Sequence, residues 1–223
     1  MELKRVVVTG IGAITPLGLS APETWENLVH GVSGAGPITR FDTTNCKTKL
    51  ACEVKNFDPA QFMDRKLARK MDLYAQYAIA AAAEAVKDCG MDLEATNLNE
   101  VGVVMGVGIG GIRTFEEEVG FFAKHEGEAP KFSPFFIPKM IGDIAAGQIS
   151  MNYGFRGPNF VTQSACASST HAIGEAFNLL RLGKADAILT GGAEAAIFGP
   201  GVGGFNAMNA LSTSNDDTTT ASR

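Results

Sequence analysis

The stretch that most constrains this 223-residue chain is Asn159 to Gly192, which reads as strand, helix, strand. Asn159 to Ser164 carries the apolar run Phe160-Val161-Thr162. Ala172, Ile173, Ala176, Phe177, Leu179 and Leu180 then recur at helical spacing up to a stop at Gly183, and Asp186 to Thr190 begins a second strand closed by Gly191-Gly192. Two strands joined by a crossover helix pair in parallel, and a parallel sheet is covered by helices on both faces. An α/β architecture is the expectation. In such open sheets ligands sit beyond the carboxyl ends of the strands, and the first strand delivers Gln163-Ser164-Ala165-Cys166-Ala167-Ser168-Ser169-Thr170 to that edge.

Cys166 therefore stands at the turn from a strand into the first turn of a helix. Free backbone N–H groups and the positive end of the macrodipole favour an anion there and supply donors for a developing oxyanion, so it is a suitable place for a nucleophile. The competing reading is a small buried hydrophobe, the commonest fate of a free cysteine. Cys46, Cys52 and Cys89 have neither a C-x-x-C spacing nor a histidine pattern, and are read as structural thiols rather than zinc ligands or disulfide partners.

Several further motifs occur in order along the chain: Val7-Val8-Thr9-Gly10-Ile11-Gly12, Gly106-Val107-Gly108-Ile109-Gly110-Gly111, Ser133-Pro134-Phe135-Phe136, Gly154-Phe155-Arg156-Gly157-Pro158-Asn159, Ser164-Ala165-Cys166, Gly191-Gly192-Ala193-Glu194 and Ala210-Leu211-Ser212-Thr213. This series resembles the β-ketoacyl-[acyl carrier protein] synthases, most of all the type II elongating enzymes of bacterial fatty acid synthesis, from Met1 to Arg223. The resemblance implies a thiolase-like layered fold, α-β-α-β-α when complete, with residues 1–223 forming the amino-terminal synthase domain. It also implies that Cys166 accepts an acyl group from acyl carrier protein as a thioester, and that malonyl carrier protein is decarboxylated to the carbanion that attacks it. A homodimer is implied as well, with no organic cofactor or catalytic metal, since the carrier's phosphopantetheine arm brings the acyl group.

Members of the family run well beyond this length, and the resemblance places the two histidines of their Cys-His-His site in the second half. None of the three histidines here is suited to replace them. His171 follows Cys166 by five residues on one expected helix, so at about 100° per residue the two point roughly 140° apart. His30 ends an expected helix and His125 falls in a charged, Gly-containing loop, both read as solvated surface positions. The resemblance further implies that the last strand or strands of the first sheet come after Arg223, leaving a central edge and an apolar face that need cover.

The amino-terminal Met1-Glu2-Leu3-Lys4-Arg5-Val6-Val7-Val8 lacks the apolar region of a signal peptide, and no run approaches bilayer length, so a cytoplasmic location is expected, with neither membrane nor nucleic acid as partner. Arg5 to Thr9 is a buried strand candidate. The Gly10-Ile11-Gly12 that follows invites a dinucleotide-binding reading, but the third glycine is Thr15, Pro16 follows, and no acidic residue ends a second strand at the required distance. A tight strand-to-helix turn is the better reading. Helices are expected near Pro22 to His30, from Arg65 to Cys89 with Asp64 as cap, and from Met140 to Ile149. Short strands are expected around Lys49 to Val54, and a buried strand from Val101 to Met105.

The first turns of the Arg65 helix gather Arg65, Lys66, Arg69 and Lys70, although the formal net charge of the chain is −5. Such a patch either steers an acidic carrier protein or is a solvated helix face. The resemblance favours the carrier-binding role for Lys66, Arg69 and Lys70, with Lys131 nearby, while Pro130 and Asn209 stand where relatives can be basic. The glycine-rich Gly106 to Gly111 turn lacks the Lys-Ser/Thr of a phosphate loop. By resemblance Ile109 is an aliphatic gate at an acyl pocket, and Phe136 and Phe205 match pocket or dimer-interface positions, with core packing as the alternative for each.

Four readings stay open: the condensing enzyme, of which these residues are the amino-terminal part; a non-catalytic chain-length factor, against which Cys166 argues; an acyl-binding or dimerisation fragment without turnover; and a cysteine hydrolase, whose local signatures do not match Gln163 to Thr170.

Overall fold

A computed structural model describes residues 3–125 and 131–222. Met1, Arg223 and Pro130 lie outside the described residues. Residues 3–14 form no regular helix or strand, and the chain then forms α1 (Ala21–Val29), begun by the Ser20 side chain accepting from the Glu23 N–H and by Pro22 in its first turn. Two short strands, β1 (Gly36–Pro37) and β2 (Leu50–Ala51), pair antiparallel. α2 (Arg65–Ala68) and α3 (Leu73–Asp88) follow.

The long helix expected from Arg65 to Cys89 is thus interrupted at residues 69–72. Asp72 is 2% exposed, and its Oδ2 accepts from the N–H and Oγ1 of Thr114 at 2.8 and 2.6 Å instead of capping α3. Gln76 Nε2 donates to the Ala68 and Met71 carbonyls at the break, at 2.9 and 3.2 Å. A long-range bond to a carboxylate thus overrides a local preference for continuous helix.

β3 (Val101–Gly106) is buried along its whole length, which its Val-Gly-Val-Val-Met-Gly sequence permits. α4 (Ile112–Lys124), α5 (Phe136–Met140) and α6 (Ile144–Tyr153) come next, then β4 (Asn159–Thr162), α7 (Ser168–Arg181), β5 (Ala187–Gly192) and α8 (Gly199–Ala207). The helix expected from Met140 to Ile149 divides into α5 and α6 where Tyr74 donates its hydroxyl proton to the Ile141 carbonyl at 2.5 Å. Burial, with Asp72, Asp143 and Glu194 nearby, holds the Tyr74 phenol well above its ordinary pKa, so it remains a donor.

The main sheet is parallel with order β4-β3-β5. Its register sets Thr162, Gly106 and Gly192 side by side, so all three strands finish on one line. Alternation along β3 sends Val101, Val103 and Met105 into a core with Tyr74, Ala78 and Ile149, covered by α3 and α6, and Val104 toward Ala172 and Ala176 of α7 on the other face.

The expected buried strand from Arg5 to Thr9 is not formed. Val7 is 60% and Val8 81% exposed, and a cavity of about 820 Å³ lies between residues 4–15 and the free edge of β5. The apolar pattern of a strand is present, but within the described residues no ladder reaches it. Gly10 and Gly12 are not a strand-to-helix turn either. A Cβ on either would collide with the backbone of α3, whose Asp88 and Glu84 carboxylates accept from the Ile11 and Ala13 N–H groups at 2.9 Å each. Close approach to a helix, rather than to a phosphate, explains these glycines.

Candidate active site around Cys166

β4 ends at Thr162, a single 3₁₀ turn spans Ala165–Ala167, and α7 starts at Ser168. Ala165 has φ +52°, a left-handed conformation that costs a residue with a Cβ about 1–3 kcal/mol and persists only where its surroundings enforce it. Here they do. Ser168, 3% exposed, donates from Oγ to the Ala165 carbonyl at 2.7 Å and accepts from the Ser164 N–H at 2.9 Å, while Thr162 Oγ1 donates to the Ser168 carbonyl at 2.8 Å. A Cβ on Gly106 would collide with the Ser168–Ser169 backbone and one on Gly192 with the Ser169 side chain, so two strand ends sit flush against the first turn of α7. The bent turn presents Cys166 as an exposed free thiol beyond the strand ends. The buried reading of this cysteine does not hold among the described residues, where it is exposed.

His171 Nδ1 is 2.7 Å from Ser164 Oγ. His30 and His125 cap α1 and α4, each ring within hydrogen-bond distance of a carbonyl of its own helix, Glu26 or Phe121. His125 therefore ends a helix that the sequence reading treated as loop. Among the described residues no group of three or more His, Cys, Asp or Glu is placed to hold a metal ion, and all four cysteines are free.

The loop after β3, which meets the Cys166 turn where Gln163 bonds Gly108, carries Ile109, which is 43% exposed. The loop is gripped from several sides. Gln163 Nε2 donates to the Gly108 carbonyl at 3.2 Å, the Glu194 carboxylate accepts from the N–H groups of Ile109 at 2.6 Å and Gly110 at 3.3 Å, and the Gly111 N–H donates to the Met140 carbonyl at 3.0 Å. Gly110 takes φ +86°, which a glycine adopts without strain. Cys166 and Ile109 thus share the rim formed by the strand ends. Phe136 opens α5 and stacks on Phe132 at 5.2 Å between centroids, with Phe132 in turn 5.4 Å from Phe122 of α4. Phe205, 37% exposed, lies on α8, which packs against α4. The sequence reading quoted Gln163 and Glu194 within motifs but gave neither a role in holding this loop. The only signal was the acidic residue directly after Gly191-Gly192-Ala193 at a strand end.

Lys66, Arg69, Lys70 and Lys131 are all exposed, and among the described residues none of them is in an ion pair. Lys70 Nζ lies 5.5 Å from the centroid of the Phe135 ring. Phe135 precedes α5, and Met140 at the other end of α5 holds Gly111, so one short helix links the basic patch to the Ile109 loop. Asn209 is exposed with φ +54°, as a turn residue would be.

Residues 3–223 match the family described as beta-ketoacyl synthase, N-terminal domain. The chain belongs to the β-ketoacyl synthase family. It is 47% identical over 220 residues to 3-oxoacyl-[acyl-carrier-protein] synthase 2 of Staphylococcus aureus (strain COL), covering 99% of this chain and 52% of that one. With the enzyme of the same name from Synechocystis sp. it shares 43% over 223 residues, covering 100% and 53%. The chain therefore spans about half the length of the curated relatives it matches. Among solved structures, a beta-ketoacyl synthase from Burkholderia phymatum STM815 superposes with a TM-score of 0.85 at 28% identity, covering 100% of this chain and 54% of that one. The ishigamide ketosynthase/chain length factor gives 0.83 at 30%, covering 94% and 52%. The layered, parallel-sheet α/β fold is the thiolase-like fold of the ketosynthases. No helix among the described residues is long and apolar enough to cross a membrane.

Proposed function

We propose that this β-ketoacyl synthase chain is the amino-terminal part of an elongating condensing enzyme of fatty acid synthesis. The observation that carries the reading is the exposed Cys166 on an enforced left-handed turn at the start of α7, above three aligned strand ends. In the proposed reaction the Cys166 sulfur attacks an acyl carrier protein thioester. The carrier's phosphopantetheine thiol leaves with a proton, and the acyl group stays on Sγ. Malonyl carrier protein then loses carbon dioxide, its α-carbon attacks the Cys166 thioester, and the sulfur is released as 3-oxoacyl carrier protein departs.

In this chain Cys166 supplies the nucleophile, and the residues around its turn supply a wall of the acyl site. Ile109 contributes that wall, with Phe136 and Phe205 extending it, and each methylene group removed from water there contributes about 0.8 kcal/mol. Lys66, Arg69, Lys70 and Lys131 dock the acidic carrier, steered by a local positive field on a chain of net charge −5. One neighbour of known structure, 25% identical with a TM-score of 0.78, is a type II polyketide ketosynthase in complex with its acyl-carrier protein, which supports such a partner. A homodimer in the cytoplasm belongs to the same reading.

The histidines of the condensation step come, on this reading, from chain beyond these residues, and a strand from there fills the cavity between residues 4–15 and β5. The half-length match to relatives and the two unpaired flanks of that cavity support this division. A second reading, an acyl-binding or dimerisation fragment without turnover, is favoured by the position of His30 and His125 at the ends of α1 and α4, each ring within hydrogen-bond distance of a carbonyl of its own helix. Incubation with acyl and malonyl carrier protein separates the two. Carbon-chain extension when the second half is present, but not without it, is the expected result, and acylation with no extension under both conditions supports the second reading instead.

A further inference from the structure

Among the groups around Cys166, one carboxylate has no part in the reaction just described. Glu194 follows β5, yet its two oxygens reach across to the loop after β3, some 85 positions earlier. Oε2 accepts from the Ile109 N–H at 2.6 Å, and Oε1 from the Gly110 N–H and its neighbour Ala195 N–H, both at 3.3 Å. Bonds from N–H groups to an ionised carboxylate are the stronger kind, and two converging on adjacent peptides fix the direction of the chain as well as its position. The loop needs such a restraint. It is rich in glycine, Gly110 is at φ +86°, and Ile109 is 43% exposed. Gly108 is part of the same fit, since a Cβ there would come to 2.9 Å from Glu194 Oε2.

We infer that Glu194 is a positioning residue for acyl-chain selectivity: its carboxylate holds the Ile109 loop beside Cys166 so that the apolar wall is in place before an acyl chain arrives. The inference rests on the proposed acyl transfer to Cys166. A preorganised wall matters in proportion to the length of chain laid along it. A short acyl group is held by the Cys166 turn itself, whereas a long one depends on contacts that a loosened loop supplies only at an entropic cost.

The test compares acylation of Cys166 by carrier protein bearing butyryl and tetradecanoyl groups, using the full-length enzyme and its Glu194→Gln and Gly108→Ala variants. Gln keeps one acceptor and loses the charge, while the alanine methyl displaces the carboxylate and leaves Glu194 in place. The expected result is that the long-to-short ratio of kcat/KM falls about tenfold in both variants, mostly through KM for the long chain. Iodoacetamide alkylation of Cys166 reports whether the turn is intact and should match the parent enzyme. A ratio within about twofold of the parent in a variant that alkylates normally overturns the inference, as does an equal loss for both chain lengths. Should the parent enzyme take up neither acyl group, the proposed function itself fails, and separately so.

Discussion

At the scale of single residues, the presentation of Cys166 depends on an alanine in an unfavourable conformation. Ala165 at φ +52° turns the chain so that Cys166 leaves the β4 direction and faces outward. The conformation is maintained by Ser168, whose hydroxyl serves both Ser164 and Ala165. Cys52 is the natural control, because it too is an exposed free thiol but stands just after the two-residue β2, not at a helix start. Iodoacetamide should therefore modify Cys166 several-fold faster than Cys52, followed by peptide mass mapping. Equal rates would mean that the start of α7 lends the thiol no special reactivity. The sequence made Cys166 legible because a thiol between an apolar run and a helical repeat is a local pattern. Glu194 was not legible in the same way, since its partners Ile109 and Gly110 are brought to it by the sheet register alone.

At the scale of elements, regular segments with strong periodicity were readable, and those shaped by distant partners were not. β3, β4, β5, α1 and α7 lie where apolar spacing and caps put them. The interruption between α2 and α3 depends on Thr114, over forty residues away, and α8 forms although Gly199, Gly201, Gly203 and Gly204 disfavour a helix. For Gly201 the reason is packing: a Cβ there would strike the Ala196 carbonyl, close to Ile112 of α4. The Asp72 bond is open to a direct check. Asp72→Ala leaves a buried hydroxyl and a buried N–H on Thr114 without their acceptor, and should lower the unfolding free energy by about 3 kcal/mol in denaturant titration of the full-length protein. A change below about 0.5 kcal/mol would show that the carboxylate does not hold α3 and α4 together.

At the scale of the whole molecule, a chain of contacts links the exposed basic residues to the Ile109 loop. Lys70 packs over Phe135, α5 runs from there to Met140, and Met140 anchors Gly111 beside Ile109. Charge reversal at Lys66, Arg69 and Lys70 to Glu should raise KM for carrier-protein substrates about tenfold or more, while small thioesters are affected little. If both substrate types suffer alike, the patch is structural.

The same scale contains the least readable feature, the course of Arg5 to Thr9. Its run of three valines is that of a buried strand, but a strand requires a neighbour, and the free edge of β5 faces it across a cavity of about 820 Å³. The central claim, that Cys166 accepts acyl groups at a site completed by further chain, is tested most directly by intact mass after incubation with an acyl carrier protein thioester. Residues 1–223 are measured with and without the second half supplied. The account predicts one acyl adduct, mapped to Cys166, when the second half is present. An absence of adduct under that condition, or an adduct at Cys46, Cys52 or Cys89 instead, would contradict it.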